Sequence, residues 1–275
     1  MNKPARAMRK PRGTFRATTL VTGASSGLGR AISVELAQRG CRLVLTARQQ
    51  SALEQTRKEC LAAGAAQVDL FVADLTSPQE REALWAFAAP CGVEALVNNA
   101  GAGVAGAWAD QSWESDQHLL ALLIEAPLDL AKRWVCSCRP LGRGALLNIV
   151  STGAYQPGPY TAIYYAAKAL LGSWSQALSW ELAPTGLVVT AAYPGALQTD
   201  FALRAGRVES PLARSPEFAA QRIVRAWEAG HPRVVPGVRE KLAVLVSRVF
   251  PETWSAQVVG KLQASLIQAS LLKRR

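Results

Sequence analysis

Hydrophobic residues along this chain form short apolar runs, separated by longer stretches in which apolar positions recur with helical spacing. The short runs lack the alternation of a strand with one solvated face, so they predict strands covered on both faces. These strands are predicted at 18–22, 42–46, 67–72, 95–98, 145–150, 187–192 and 233–235. The longer stretches predict helices at 28–39, 50–63, 78–88, 113–135, 161–182 and 216–228.

Strands that alternate with helices indicate an α/β fold: a single Rossmann-type, doubly wound domain with a seven-stranded parallel sheet flanked by helices. The chain has 275 residues, of which 49% are hydrophobic, and this is enough for one large core. We expect a disordered basic tail at 1–17, the domain at 18–237 and a helical extension at 238–275.

The extension carries an apolar stripe in which a hydrophobic residue recurs every four positions. Its members are Trp254, Val258, Leu262 and Leu266. A stripe of this kind predicts an amphipathic helix that packs on its own domain or on a partner subunit. The alternative is peripheral contact with a membrane, in which the basic end at 273–275 meets anionic headgroups.

The charge of the chain is concentrated at its two ends. The formal net charge is +11, but ten of the 31 basic residues lie in 1–17 and 261–275, which contain no acidic residue. The segment 18–260 holds 21 basic and 20 acidic side chains, so the folded body has no bias towards nucleic acid. Nucleic-acid binding through the tails has no further support in the sequence.

The chain contains five cysteines and two histidines. An odd number of cysteines, mostly within apolar stretches, predicts reduced core residues and a cytoplasmic protein. Cys136 and Cys138 form a C-x-C pair without a second ligand pair, so no metal site is predicted. The basic N-terminal segment lacks the apolar run of a secretory signal, although an organelle transit peptide remains an open alternative.

The first predicted strand runs into a glycine-rich turn and then into a helix. The turn contains Gly23, Ser25, Ser26, Gly27, Leu28 and Gly29. Glycines let the backbone approach a pyrophosphate, and the amides and dipole at the start of the helix favour an anion. A plain turn would also be rich in glycine, but the strand–turn–helix context indicates dinucleotide binding.

The end of the second predicted strand indicates which dinucleotide is bound. In folds that bind NAD, an acid about 20 residues after the glycines contacts the adenosine ribose. Here the strand ends at Ala47 and Arg48, without an acid. Arg48 could hold a 2′-phosphate through its planar guanidinium, which favours NADP(H), or it could be a solvated loop cation.

Four motifs follow one another along the chain. They are Gly23-x-x-x-Gly27-x-Gly29, Asn98-Asn99-Ala100-Gly101, Tyr164-x-x-x-Lys168 and Pro194-Gly195-x-x-x-Thr199. Together they resemble the short-chain dehydrogenase/reductase family over roughly 18–237. Residues 151–169 further resemble an NADP(H)-preferring bacterial branch with a C-terminal extension. The resemblance implies an oxidoreductase that acts on a carbonyl or alcohol.

Tyr164 and Lys168 are four residues apart on a predicted helix and share one face, whereas Tyr165 points about 100° away. A nearby ammonium favours the phenolate of Tyr164 and lowers its pKa. The resemblance implies that Tyr164 is the general acid and base, and that Ser151 hydrogen-bonds the substrate carbonyl, with Thr152 as the less favoured alternative. A Ser/His/Asp hydrolase is disfavoured because Ser151 lacks a G-x-S-x-G elbow.

The resemblance also implies cofactor contacts at the ends of several strands. The residues are Asp74, Leu75, Asn99, Ala100, Gly101, Pro194, Gly195, Leu197 and Thr199, with Tyr164 and Lys168. By this resemblance Asp74 meets adenine, 99–101 line the adenosine ribose, 194–199 meet the nicotinamide carboxamide, and Lys168 bonds the nicotinamide ribose. Asp74 and Thr199 could each instead cap a following helix.

One position departs from the family pattern. The family usually has an asparagine, three residues before the alanine of an Ala-Pro pair, that holds a water in a proton relay from the lysine. Alignment on Ala126 and Pro127 places Leu123 there, and a leucine cannot hold that water. The relay is then either weakened or rerouted, with Glu125 as the candidate.

We therefore expect an NADP(H)-dependent oxidoreductase that transfers a hydride between nicotinamide and an apolar small-molecule carbonyl or alcohol, in a homodimer or homotetramer. The segment 199–216 is expected to form a lid over the substrate. The alternative is a weakly active or inactive NADP-binding sensor or scaffold. The intact set of Ser151, Tyr164 and Lys168 favours the enzyme, and Leu123 favours the alternative.

Overall fold

The computed structural model describes residues 18–273, and the predicted tail at 1–17 lies outside the described residues. Its strands are β1 (Thr18–Thr22), β2 (Arg42–Ala47), β3 (Gln67–Val72), β4 (Val93–Asn98), β5 (Gly144–Ile149), β6 (Leu187–Ala192) and β7 (Arg233–Val234). The strands form one sheet of order β3-β2-β1-β4-β5-β6-β7, in which every neighbouring pair is parallel. The predicted seven-stranded parallel sheet is confirmed.

Helices cover both faces of the sheet, as buried parallel strands require. They are α1 (Gly27–Ala37), α2 (Gln50–Ala63), α3 (Pro78–Ala88), α4 (Trp113–Leu120), α5 (Ala126–Cys138), α6 (Ala162–Leu182), α7 (Phe201–Arg204), α8 (Pro216–Glu228), α9 (Val238–Val249) and α10 (Glu252–Lys273). On one face α1, α2 and α8 bury Ile32, Leu53 and Trp227 in a common core. On the other face α3 and α5 bury Leu84 and Trp134.

The chain changes direction across the sheet at β1, since β2 lies on one side of it and β4 on the other. Such a switch point leaves a crevice at the carboxyl ends of the strands, where ligands bind. A buried chain of hydrogen bonds fixes the strands beneath this crevice. Asn98 Nδ2 donates to Asn148 Oδ1 at 3.0 Å, and Asn148 Nδ2 donates to Ser175 Oγ of α6 at 2.9 Å.

The predicted helix at 113–135 is continuous but not uniform. Ala121–Glu125 form a π-helical turn between α4 and α5. A π-helical turn inserts an extra residue into a helix, and such turns are frequent at functional sites. Leu123 lies in this turn, close to the crevice.

The C-terminal extension is helical, as expected, but its packed face differs from the predicted stripe. Trp254, Val258 and Leu262 are 45%, 47% and 51% exposed, and only Leu266 of the stripe is buried. The buried residues of α10 are Ser255, Val259, Gln263, Leu266 and Ser270. Apart from Leu266, the stripe does not pack on its own domain, and its packing on a partner subunit stays a prediction. No helix of the described residues combines the length and apolar character that crossing a bilayer requires.

Candidate active site

The glycine-rich turn between β1 and α1 has no room for side chains at two of its positions. Gly23 has φ +64°, and a Cβ on it would lie 2.8 Å from the Cα of Ala100. A Cβ on Gly29 would collide with the carbonyl oxygen of Gly23. A Cβ on Gly27 would lie 3.1 Å from Cγ2 of Thr199. Glycine at these positions therefore lets the predicted residues of three separate segments pack together at this turn.

The start of α1 is suited to an anion. Ser26 occupies the N-cap position, but its side chain makes no cap hydrogen bond, and the first turn has no acidic residue. By contrast Ser77, Ser112 and Ser215 each accept a backbone N–H at the start of α3, α4 and α8. The first amides of α1 are thus not used by a side chain, and they and the helix dipole fit a diphosphate.

Thr22 and Asn99 brace this turn, a role that sequence reasoning missed for Thr22. The Thr22 hydroxyl accepts the backbone N–H groups of Asn99 and Ala100, at 2.9 and 3.0 Å. The Asn99 side chain donates to the carbonyl oxygens of Thr22 and Gly23, at 2.9 and 3.2 Å. The amide of Asn99 therefore shapes the turn. A polar residue at the end of the first strand was the available signal for Thr22.

The predicted adenosine end lies at the carboxyl ends of β2 and β3. Arg48 is exposed there. Burial alone would raise the pKa of Asp74, but hydrogen bonds from Thr76, with the charges of Arg48 and His118, bring it below its ordinary value. Leu75 and Ala100 line one small cleft together. Arg48 and Asp74 are close enough for the arginine's charge to act on the carboxyl, and the guanidinium of Arg48 is exposed to solvent.

Ser151, Tyr164 and Lys168 converge beyond the end of β5. Lys168 Nζ donates to the carbonyl oxygen of Ile149 at 2.7 Å and lies 5.8 Å from the centroid of the Tyr164 ring. The Ser151 hydroxyl accepts the backbone N–H of Gly153 at 3.0 Å. Tyr164 and Lys168 share one face of α6, as their spacing predicts.

The protein environment sets the protonation of this group. Burial raises the pKa of Tyr164 to about 12, although a hydrogen bond with Ser151 and the charge of Arg207 oppose the shift. Burial lowers the pKa of Lys168 to about 8. At neutral pH Tyr164 therefore carries its proton and Lys168 is mostly charged. The shift of the Tyr164 pKa is opposite to the predicted lowering, because burial outweighs the neighbouring charges.

The loop that follows β6 is fixed from two sides. The backbone N–H of Thr152 donates to the carbonyl oxygen of Pro194 at 2.9 Å. Gly195 packs against Glu240 of α9, where a Cβ on it would lie 2.8 Å from Glu240 Cγ. Leu197 forms an isolated parallel bridge with Arg214. Pro194, Gly195 and Leu197 thus lie between the catalytic group and the glycine-rich turn.

The family model described as short chain dehydrogenase matches residues 17–208. The chain belongs to the short-chain dehydrogenase family. This membership confirms the predicted family and, with it, the predicted class of oxidoreductase.

Relatives and solved structures agree with this assignment. A Streptomyces violaceoruber protein, named as a ketoacyl reductase of the granaticin polyketide synthase, is 35% identical over 204 residues, which are 73% of this chain and 75% of that protein. The structure of a short-chain dehydrogenase from Sphingobium yanoikuyae in complex with NADPH is 29% identical, with a TM-score of 0.78, and covers 84% of this chain and 93% of that chain. A variant of actinorhodin polyketide ketoreductase with NADPH is 29% identical, with a TM-score of 0.72 and coverages of 81% and 97%.

The position of Leu123 distinguishes this short-chain dehydrogenase from the family pattern in structure as well. Leu123 is buried in an apolar cluster with Leu119 and Ala167, against which Tyr164 packs. Glu125 of the same turn is turned outward, where its 60% exposed side chain lies 3.8 Å from Arg81. This placement argues against a proton relay through Glu125.

A cleft opens beside Tyr164 and is lined in part by Val104, Trp108 and Ile163. Tyr160 borders it with φ +64°, a conformation that costs a non-glycine residue about 1–3 kcal/mol and is often found at functional sites. Sequence reasoning missed Tyr160, because a positive φ at a tyrosine has no sequence signature.

Helix α7 contacts Tyr164, and α10 contacts the neighbouring Tyr165. The ring of Phe201 lies 5.5 Å from the ring of Tyr164. Gln263 Nε2 of α10 donates to the Tyr165 hydroxyl at 3.2 Å, and Arg207 Nη1 donates to Gln263 Oε1 at 3.2 Å. Neither Arg207 nor Gln263 was predicted, since they lie far from every family motif and off the apolar stripe.

Proposed function

We propose that this protein is an NADP(H)-dependent reductase that transfers a hydride to a carbonyl group of a small-molecule substrate. The observation that carries the proposal is the convergence of Ser151, Tyr164 and Lys168 beside a backbone turn that fits a diphosphate. Family membership, a relative named as a ketoacyl reductase and neighbours whose structures contain NADPH support it.

The cofactor would be held mainly by backbone groups. The amides of 25–29 and the dipole of α1 would bind the diphosphate, and Arg48 would pair with the 2′-phosphate. Asp74 and Leu75 would meet the adenine, 99–101 the adenosine ribose and 194–199 the carboxamide. When bound, the nicotinamide supplies the hydride.

The residues of the chain perform the proton chemistry. Ser151 would donate a hydrogen bond to the substrate carbonyl oxygen, and Tyr164 would transfer its phenolic proton to that oxygen as the hydride arrives. The ammonium of Lys168 would stabilise the resulting phenolate and bond the nicotinamide ribose. Because Leu119, Leu123 and Ala167 exclude water on one side, the proton that returns to Tyr164 must come from another side.

At neutral pH Tyr164 carries the proton that reduction of a carbonyl needs, because burial raises its pKa to about 12. The raised pKa makes the phenol a weaker acid, so the hydrogen bond with Ser151 and the charge of Lys168 would have to assist the proton transfer. Val104, Trp108 and Ile163 line the adjoining cleft together with polar residues, Gln111, Asp116 and Thr161, so the apolar substrate body stays a prediction.

The oligomeric state and the cellular location of the protein remain predictions. Leu170 and Trp180 of α6 are 41% and 82% exposed, which supports a homodimer or homotetramer through this helix. Exposed Trp254 and Val258 on α10 would be available for peripheral membrane contact, the less favoured alternative for this cytoplasmic protein. Light scattering of the purified chain tests the first prediction, and flotation with anionic vesicles tests the second.

The direct test is NADPH oxidation with a panel of ketones, aldehydes and acyl thioesters. We expect turnover with at least one class, and tighter binding of NADPH than of NADH. Tight NADPH binding without turnover across the panel would favour the sensor, the candidate that the apolar surroundings of Leu123 support.

A further inference from the structure

The cleft beside Tyr164 contains a carboxylate that the proposed mechanism does not use. Asp116 of α4 lines this cleft together with Tyr164 and is 5% exposed. Its Oδ2 accepts the indole N–H of Trp108 at 2.7 Å. Oδ1 has no hydrogen-bond partner among the described residues and is not one of their enclosed, unpartnered side-chain atoms, so it keeps contact with solvent. Asp116 therefore offers one free carboxylate oxygen in a cleft that also contains the proposed acid.

The charge of this carboxylate has no counter-ion within residues 18–273. No arginine, lysine or histidine lines the cleft, and Asp116 takes part in none of the ion pairs of this part of the chain. Asp116 lies in the first turn of α4, where the positive end of the helix dipole favours the ionised form. That dipole end is equivalent to only about half a charge, and Trp108 is a neutral donor. A cationic ligand group would therefore complement Asp116.

The register of the helix places Asp116 on the face that packs towards Tyr164. Leu119 and Leu123 form an apolar cluster with Ala167, and Tyr164 packs against this cluster. Residues three positions apart share one face of a helix, so Asp116 lies on the face of Leu119, about 5 Å further along the axis. Because Asp116 and Tyr164 also line the same cleft, one small molecule can contact both side chains.

The loop that carries Trp108 is held in place by its neighbours. The backbone N–H of Gly106 donates to the carbonyl oxygen of Tyr160, just before α6, at 2.9 Å. Gly106 also packs closely on Gln111, since a Cβ on it would lie 2.5 Å from Gln111 Nε2. The indole N–H of Trp108 is therefore a fixed donor, and it holds the Asp116 carboxylate in one orientation.

We propose that the free oxygen of Asp116, whose carboxylate is held by Trp108, binds a protonated amine carried by the substrate. The substrate class is then an amino ketone in which a few bonds separate the carbonyl from the amine. This inference rests on the proposed reductase function for the site, and it adds Asp116 as a specificity-determining residue.

Binding without turnover tests the proposal independently of catalysis. The full-length protein saturated with NADP⁺, which has no hydride to give, is titrated calorimetrically at neutral pH with three ketones that differ only in one terminal group. They are 4-(aminomethyl)acetophenone, 4-(hydroxymethyl)acetophenone and 4-ethylacetophenone. We expect the protonated amine to bind about tenfold or more tightly than the ethyl compound, and more tightly than the alcohol, as a charge-assisted hydrogen bond predicts. If the amine binds no more tightly than the alcohol or the ethyl compound, the proposal is overturned, whatever the variants show.

Variants then assign the preference to Asp116. Asp116→Asn removes the charge and keeps the volume and an acceptor for Trp108, so the amine and the ethyl compound should bind within about threefold of each other. Glu114→Gln is the matched control, since Glu114 lies in the same turn of α4 but is exposed, and it should keep the wild-type ratio. NADPH affinity should be unchanged in both variants. An unaltered ratio in Asp116→Asn, or in Asp116→Ala if the first variant does not fold, contradicts the proposal, and so does an equal loss in Glu114→Gln.

Kinetics separates this inference from the proposed function. The same three ketones are the substrates, with NADPH oxidation as the readout. We expect Asp116→Asn to raise KM about tenfold or more for the amine and to leave KM for 4-ethylacetophenone nearly unchanged. If none of these ketones is reduced while the calorimetric preference persists, the reductase proposal fails and the amine site stands. If all three are reduced with equal KM, the amine site fails and the reductase stands.

Discussion

The cofactor end and the substrate end of this site are built in different ways. At the cofactor end, the backbone of one short segment makes the surface, and Gly23, Gly29 and the first amides of α1 lie within seven residues of sequence. At the substrate end, side chains from distant segments meet, since Gln263 contacts Arg207 and Tyr165, which are 56 and 98 positions away. Local backbone geometry leaves a sequence motif, whereas convergence of distant side chains leaves none.

The largest effect is expected from a substitution that disables the substrate end of the site and leaves the cofactor end intact. Tyr164→Phe removes the transferable proton, so kcat should fall by about 10²–10⁴-fold while NADPH affinity stays near the wild-type value. Steady-state rates and NADPH fluorescence titration measure the two quantities. Tyr165→Phe is the comparison: it should remain active, with any loss confined to substrate KM, because its hydroxyl bonds Gln263. Full activity in Tyr164→Phe would exclude the proposed acid.

The next largest effect is expected from a substitution in the glycine-rich turn at the cofactor end. Gly23→Ala should weaken NADPH binding by about tenfold to hundredfold, because its Cβ would collide with Ala100 and displace the turn. Gly40→Ala is a matched control: Gly40 also has positive φ, +72°, but its Cβ would meet no atom within 4 Å. Both variants place an alanine at a positive φ. A difference in their NADPH affinities therefore reports the collision of the new Cβ with Ala100. Equal NADPH affinity in the two variants would show that the turn does not bind the cofactor.

An effect of comparable size concerns the choice between cofactors. Arg48→Ala should weaken NADPH binding by about tenfold to hundredfold, the strength of a charge-assisted hydrogen bond, and leave NADH binding nearly unchanged. Arg42→Ala is the control, because Arg42 is an exposed arginine at the opposite end of β2. Tighter binding of NADH than NADPH by the wild type would contradict the assignment.

The last expected effect is on folding stability and concerns Lys168. Because burial lowers its folded-state pKa from 10.5 to about 8, the unfolded chain binds more protons between these values, and folding stability gains from Lys168 as pH rises through this window. Lys168→Met lacks this gain. Between pH 7 and pH 10 the free energy of unfolding of the wild type should rise relative to that of the variant by roughly 2–3 kcal/mol. Denaturant titrations at these two pH values measure the free energy of unfolding of both proteins. If the difference between wild type and variant is the same at both pH values, folding does not lower the pKa of Lys168.

The sequence predicted the sheet well because each strand is a contiguous apolar run, and parallel strands buried on both faces require such runs. It also predicted the residues around the glycine-rich turn, whose spacing reflects local geometry. It did not show which face of α10 packs on the domain: Trp254 and Val258 are exposed there, and Gln263 packs inward. It did not anticipate the π-helical turn at Leu123 or the positive φ of Tyr160, since tertiary packing determines both.

The central claim is that Tyr164 protonates a carbonyl while a hydride arrives from a cofactor bound at the glycine-rich turn. The most direct measurement supplies NADPH deuterated at C4 of the nicotinamide to the wild type and to Tyr164→Phe, with 4-ethylacetophenone and 4-(aminomethyl)acetophenone, and analyses the products by mass spectrometry. The account predicts that the wild type forms an alcohol with deuterium on the carbinol carbon, and that Tyr164→Phe binds the cofactor but forms almost none. Tight NADPH binding without label transfer by the wild type, here and across the wider ketone, aldehyde and thioester panel, would contradict it.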